Sequence, residues 1–171
     1  MNPINLERTA DVRFRAHMFK ICEDDLSSDA TLRLLALHLS GMRANSPPDS
    51  VYALDLSGLK APGVTVWSVR EEAEVIAIGA LKELGNGHAE VKSMRTHPDH
   101  LRRGVAALLL DHITAEARAR GLTRLSLETG SGAAFEPALA LYRKHGFVNG
   151  EAFSDYEPSA FNQFLHFDLS A

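Results

Sequence analysis

Apolar and polar positions along the chain fall into two periods, and the switch between them predicts the elements. Val64–Val69 is β-branched and aromatic, and Val75–Leu81 is a second apolar run. His88–Met94 alternates, with Ala89, Val91 and Ser93 on one side and His88, Glu90, Lys92 and Met94 on the other. Turns at Glu71-Glu72 and Gly85-Asn86-Gly87 join the three into a meander. Leu122–Glu128 predicts a further strand, with Leu125 and Leu127 set against Ser126 and Glu128, and Phe164–Leu169 predicts a last one. Residues 18–23, with Met18, Phe19, Ile21 and Cys22, predict a short first strand.

Helical spacing appears in three places. Leu32, Leu35, Leu39 and Met42 form one stripe, with Asp29 as the predicted cap and Asn45-Ser46-Pro47-Pro48-Asp49 as the stop. Val105, Leu108, Leu109, Ile113 and Ala117 form a second, ended by Gly121. Phe135, Ala138, Leu139 and Tyr142 form a third, within a helix from Ala134 to His145 that Gly146-Phe147 ends. Ser46–Gly63 reads as a long loop with a short helix near Val51–Leu56. The order is strands, helix, strand, helix, strand. It predicts an α/β fold, a mixed β-sheet flanked by helices.

Length and composition narrow the function classes. The 171 residues suit one domain, 1–171, with residues 1–16 as a loosely attached arm, and 45% apolar residues can fill a core. A net charge of −4 argues against a nucleic-acid partner, whose backbone demands a basic surface. The single cysteine, Cys22, allows no intrachain disulfide. No apolar run approaches the roughly 20 residues that span a bilayer, so no membrane partner is expected. The first fifteen residues lack the apolar stretch of a secretory signal, which makes the cytoplasm the expected location.

Candidate chemistry gathers at Leu101-Arg102-Arg103-Gly104-Val105-Ala106, a basic glycine-containing turn between a strand and a helix. Backbone N–H groups and the positive end of the helix dipole would converge there on an anion such as a pyrophosphate. Ordinary helix capping is the competing reading. His97 and His100 have a metal-like spacing, but no set of ligands completes a zinc site, and no metal is expected.

The sequence resembles the GNAT superfamily of N-acetyltransferases. Leu101–Ala106 resembles that family's coenzyme motif, Arg/Gln-x-x-Gly-x-Gly/Ala, and Leu141-Tyr142-Arg143-Lys144-His145-Gly146-Phe147 resembles its Leu-Tyr-x-x-x-Gly-Phe motif. The strand before the loop and His97-Pro98 fit the same pattern, and the likeness covers roughly residues 64–169. Two positions depart from it: Leu101 stands where Arg or Gln is usual, and Phe135 where many members have an asparagine against the pantetheine arm.

The resemblance implies a GNAT fold, a twisted mixed sheet splayed where acetyl-CoA enters, and acetyl transfer to a primary amine of a small molecule or peptide. By residue, it implies that the main chain of Met94, Arg95 and Thr96 pairs with the pantetheine arm as an added strand would. It implies that N–H groups of Arg103, Gly104, Val105 and Ala106, helped by Arg102, hold the pyrophosphate, that Tyr142 protonates the leaving thiolate and that Glu90 draws a proton from the amine. Core packing for Tyr142 and an ion pair with Lys92 for Glu90 are the competing readings, with His88 and Glu83 as other bases. A non-catalytic acyl-CoA-binding regulatory module is the alternative for the whole chain. Homodimers are frequent in the family. Asp49, Tyr52 and Asp55, with Asp155, Tyr156 and Glu157, are candidate walls for the acceptor, and their acidity favours a cation.

Overall fold

The computed structural model describes residues 19–170. Seven strands form one sheet: β1 (Lys20–Glu23), β2 (Val64–Glu71), β3 (Glu74–Gly85), β4 (His88–Thr96), β5 (Arg124–Thr129), β6 (Val148–Asn149) and β7 (Gln163–Asp168). Their order is β1-β2-β3-β4-β5-β7-β6, antiparallel throughout except for the parallel pair β4–β5. Four helices complete the described chain: α1 (Asp29–Asn45), α2 (Leu56–Leu59), α3 (Val105–Ala119) and α4 (Glu136–Lys144). The mixed sheet flanked by helices is the fold expected from the periodicity and the arrangement that the family resemblance implies.

Each face of the sheet carries its own core. Val105, Leu109, Leu110, Ile113 and Ala117 of α3 and Leu139 of α4 pack with Trp67, Leu81, Val91, Leu125 and Leu127 on one face. Leu34 and Leu35 of α1 and Leu59 of α2 pack with Val66, Val75, Ile78 and Ala80 on the other. Burying both faces explains why the central strands read as nearly continuous apolar runs.

Several boundaries differ from the sequence expectation. Ser28, not Asp29, caps α1, because its hydroxyl accepts from the Thr31 N–H at 3.2 Å. The buried stripe of α1 is Thr31, Leu34, Leu35 and His38; of the predicted stripe only Leu35 is buried, and Leu32, Leu39 and Met42 are half-buried beside it. Leu110 rather than Leu108 is fully buried on α3. The loop after α1 holds a 3₁₀ turn at Pro48–Ser50 and the helical turn α2, not a helix near Val51–Leu56. Strand β6 is two residues long, too short to leave a period. Of the predicted first strand and N-terminal arm, residues 1–18 lie outside the described residues.

Two irregularities shape the centre of the sheet. Ala77 pairs with Thr96 and Ile78 with Arg95, yet Ala80 pairs with Lys92, so β4 carries an extra residue. Ser93 takes it up at φ 55°, and the alternation reverses there. Met94 therefore points with Ala89 and Val91 toward α3, where its sulfur sits beside Gly79, and not with Glu90 and Lys92 as a regular strand requires. Secondly, β4 and β5 pair only where His88–Glu90 face Arg124–Ser126. Beyond Glu90 they part, and the edge of β4 toward β5 carries no strand.

Candidate active site

A cavity of about 180 Å³ opens where β4 and β5 part. Glu90, Lys92, Ser93, Met94 and Arg95 of β4 form its floor, Glu128 and Thr129 of β5 one side, and Phe135, Ala138 and Tyr142 another. His38 and Met42 of α1 and Tyr52 and Ala53 of the following loop line it as well.

Register explains the acidic pair. Glu90 lies opposite Ser126 across the parallel ladder, and alternation puts Glu128 on the same face as Ser126. Glu90 is buried, and Lys92 Nζ donates to its Oε1 at 3.0 Å. Tyr156 OH donates to the same oxygen in a short hydrogen bond, and Lys92 Nζ also donates to Tyr156 OH at 2.7 Å. Burial and the Glu90 charge push the Tyr156 phenol well above its ordinary range, so it remains a donor. Glu128 lies beside this closed triad. Burial lifts its pKa to about 7, with Lys92 pulling it down and Glu90 pushing it up.

Tyr142 is buried on the α4 face, edge-on to Phe147 at 5.8 Å between ring centres. Burial pushes its phenol up to about 12, so the hydroxyl stays protonated at any physiological pH. Phe135, exposed by only 8%, precedes α4 and packs edge-on against Phe161 at 5.5 Å. Both rings crowd Gly130, where an added Cβ would clash with Phe161 and Phe135. The aromatic pair thus closes the wall where the family pattern has a polar side chain.

The turn ahead of α3 places a glycine at the start of the helix, as the sequence predicts. Gly104 caps the helix at φ 78°, in the left-handed region that favours glycine, and nothing lies within 4 Å of where its Cβ would be. Arg102 is also left-handed, at φ 61°, and Leu101 is 58% exposed. The Arg103 guanidinium is held by both oxygens of Glu71, at 2.6 and 2.7 Å, which leaves its main chain rather than its side chain to meet an anion.

Arg95 presents its side chain to the α1 face as a consequence of the bulge, while Met94–Thr96 offer unpaired main chain at the edge. The buried Ser93 hydroxyl has no hydrogen-bond partner among the described residues. An extended, amide-bearing arm fits this edge, since it could pair as a strand does.

The expected acceptor walls divide. Tyr52 lines the cavity and stacks edge-on with Tyr156 at 5.0 Å. The four acids do not line it: Asp49, Asp155 and Glu157 are exposed, and Asp55 caps α2. Of the other candidate bases, Glu83 pairs with Arg120 at 3.1 Å and His88 faces a separate depression beside Arg124 and His166. Sequence reasoning passed over Glu128 and His38 as site residues, and it named Lys92 only as the competing ion-pair partner of Glu90, which is the pair observed. For Glu128 the signal was present in its alternation with Leu125 and Leu127, but its meaning depended on β5 pairing with β4.

With this geometry, residues 31–147 match the model of the Acetyltransferase (GNAT) family, and the chain belongs to that family. Members transfer acetyl groups and use acetyl-CoA as cosubstrate. The chain is 51% identical over 152 residues to the uncharacterized N-acetyltransferase YedL of Escherichia coli (strain K12), a match spanning 89% of this chain and 96% of YedL. Among solved structures it is similar to an acyl-CoA N-acyltransferase from Klebsiella pneumoniae, with TM-score 0.75 and 27% identity over 89% of this chain and 98% of that one. It also shares the fold of a GNAT acetyltransferase from Elizabethkingia anophelis with acetyl-CoA bound, with TM-score 0.65 and 15% identity over 88% and 98% of the two chains. No helix among the described residues is long and apolar enough to cross a membrane.

Proposed function

We propose that this chain transfers the acetyl group of acetyl-CoA to a primary amine by direct attack within a ternary complex. One observation carries the reading: the unpaired edge of β4, the Tyr142 phenol and the Glu90–Glu128 pair all meet at one cavity. The coenzyme supplies the thioester, and the chain's own groups do the rest. Main chain of Met94, Arg95 and Thr96 aligns the pantetheine arm. N–H groups from Arg103 to Ala106 receive the pyrophosphate at the start of α3, with Arg102 beside them.

The amine must arrive neutral to attack. Base duty falls on the carboxylate pair, and Glu128 is the member that takes the proton. Glu90 already accepts from Lys92 and Tyr156, whereas Glu128 has a pKa of about 7, close to that of an efficient base near neutral pH. As the carbonyl bond re-forms, the C–S bond breaks and the sulfur takes a proton from Tyr142. A phenol raised to about 12 by burial is protonated when needed, and its anion is costly enough to recover a proton quickly. Cys22, on edge strand β1, is not among the residues lining the cavity, so it offers no route through an acyl-enzyme.

The test is release of free thiol from acetyl-CoA in the presence of a panel of amines, amino acids and peptides. Thiol release that requires an amine and matches N-acetyl product supports the reading. Binding of acetyl-CoA without turnover on any amine overturns it.

A further inference from the structure

We propose that the acceptor is an amino carboxylate, a small amine whose carboxylate is received by Arg95 on the α1 side of the cavity. The inference rests on the acetyl-transfer reading and names the acceptor class for that same site.

The charges lining the cavity sort by wall. Glu90 is neutralised in place by Lys92 at 3.0 Å, with both side chains almost wholly buried. What remains is Glu128 on β5 and Arg95 on β4, beyond the bulge. Arg95 makes no salt bridge among the described residues, and its buried Nε has no hydrogen-bond partner there. The bulge at Ser93 turns this side chain toward α1, and Gly41 leaves it room. A Cβ at position 41 would come within 3.0 Å of Arg95 Nη1.

No neighbour on α1 supplies a counter-charge. His38 faces both Arg95 and Lys92; burial, reinforced by those two cations, lowers its pKa to about 4 and leaves it neutral. A half-buried guanidinium without a partner is costly unless a ligand completes it. Its planar fork suits a carboxylate, which accepts two parallel N–H donors. An ammonium belongs at the other wall, beside Glu128. A polyamine or lysine-rich peptide would set a second cation against Arg95 and Lys92, which like-charge repulsion disfavours. Met42, Ala53 and Tyr52 leave an apolar flank for the acceptor's side chain.

The anion could instead come from the coenzyme, and the experiment separates the two sources. Wild-type protein is assayed for thiol release with matched acceptors: glycine and glycinamide, phenylalanine and phenylalaninamide, γ-aminobutyrate and putrescine. We expect the carboxylate member of a pair to show kcat/KM at least tenfold above its amide, and putrescine to be the poorest. Arg95→Gln should raise the KM of the best amino carboxylate at least tenfold and leave the KM of acetyl-CoA within twofold. Arg95→Lys should restore part of the loss, and the ratio of carboxylate to amide kcat/KM should fall at least tenfold in Arg95→Gln. Amides or putrescine turned over as well as the amino carboxylates would overturn the inference while leaving acetyl transfer intact. So would an Arg95→Gln variant whose loss lies in acetyl-CoA binding. Turnover of no amine at all would overturn the acetyl-transfer reading and this inference with it.

Discussion

Replacing Tyr142 by phenylalanine removes one oxygen from the centre of the proposed chemistry and almost nothing from the fold. The ring sits on the buried face of α4 against Phe147, and phenylalanine keeps those contacts. Melting should therefore change little, by about 1 kcal/mol or less. The rate should change far more. Losing a positioned acid typically costs ~10²–10⁴-fold, equivalent to about 3–5 kcal/mol of barrier. The loss should lie in kcat, with the KM of acetyl-CoA nearly unchanged, because the phenol acts when the thiolate leaves. The structure also constrains the pH dependence. Burial holds the phenol near 12, so wild-type kcat should show no alkaline fall from Tyr142 below about pH 11. The assay is thiol release under saturating substrates from pH 6 to 10, with a melting curve for each protein. A folded Tyr142→Phe variant with full kcat would return this residue to core packing. A wild-type alkaline limb near pH 10 that vanishes in the variant would refute the buried, protonated phenol.

Three other outcomes are expected. An added Cβ at Gly104 meets no atom within 4 Å, so Gly104→Ala should cost about 1–2 kcal/mol of stability through left-handed backbone alone, and Gly104→Val at least as much. Valine should also weaken acetyl-CoA by at least tenfold, or about 1.4 kcal/mol, in calorimetric titration, and unchanged affinity would count against an anion site at this turn. Wild-type kcat/KM should fall below pH 7 as Glu128 takes its proton; Glu128→Gln should lose that limb and run roughly 10²-fold slower at pH 8, whereas loss of the limb in Glu90→Gln alone would exchange the two roles. Stability should also respond to pH. His38, lowered from 6.5 to about 4, favours the fold above pH 6.5 and loses that contribution as pH falls through 4; Glu128, raised from 4.5 to about 7, favours it below pH 4.5 and loses that as pH rises through 7. The two offset in the wild type, so urea unfolding of Glu128→Gln should show stability climbing between pH 4 and 6.5 by on the order of 3 kcal/mol, and a flat profile would refute a buried neutral His38.

The meander, the two long helices and the closing strand were legible because burial on both sheet faces imposes period and composition together. The turn before α3 was legible because Gly104 must occupy the left-handed region, and few residues do so cheaply. The bulge at Ser93 was not. Serine has no special signature there, and one extra residue silently reverses every later side chain, sending Met94 to α3 and Arg95 to the cavity. The acidic loops misled for a related reason: exposed carboxylates such as Asp155 and Glu157 are conspicuous in sequence, while the acids that matter to the cavity sit within strands. Pairing Glu90 with Glu128 required the parallel register of β4 and β5, a contact between positions 38 residues apart that no local pattern reports.

The central claim is direct acetyl transfer to an amine held beside acetyl-CoA. Its most direct test is a two-substrate initial-velocity experiment on the wild-type protein, with thiol and N-acetyl product both quantified. The account predicts one thiol released per product and double-reciprocal lines that intersect, since both substrates must be bound before either product leaves. Parallel lines, or thiol released at the same rate without an amine, would contradict it.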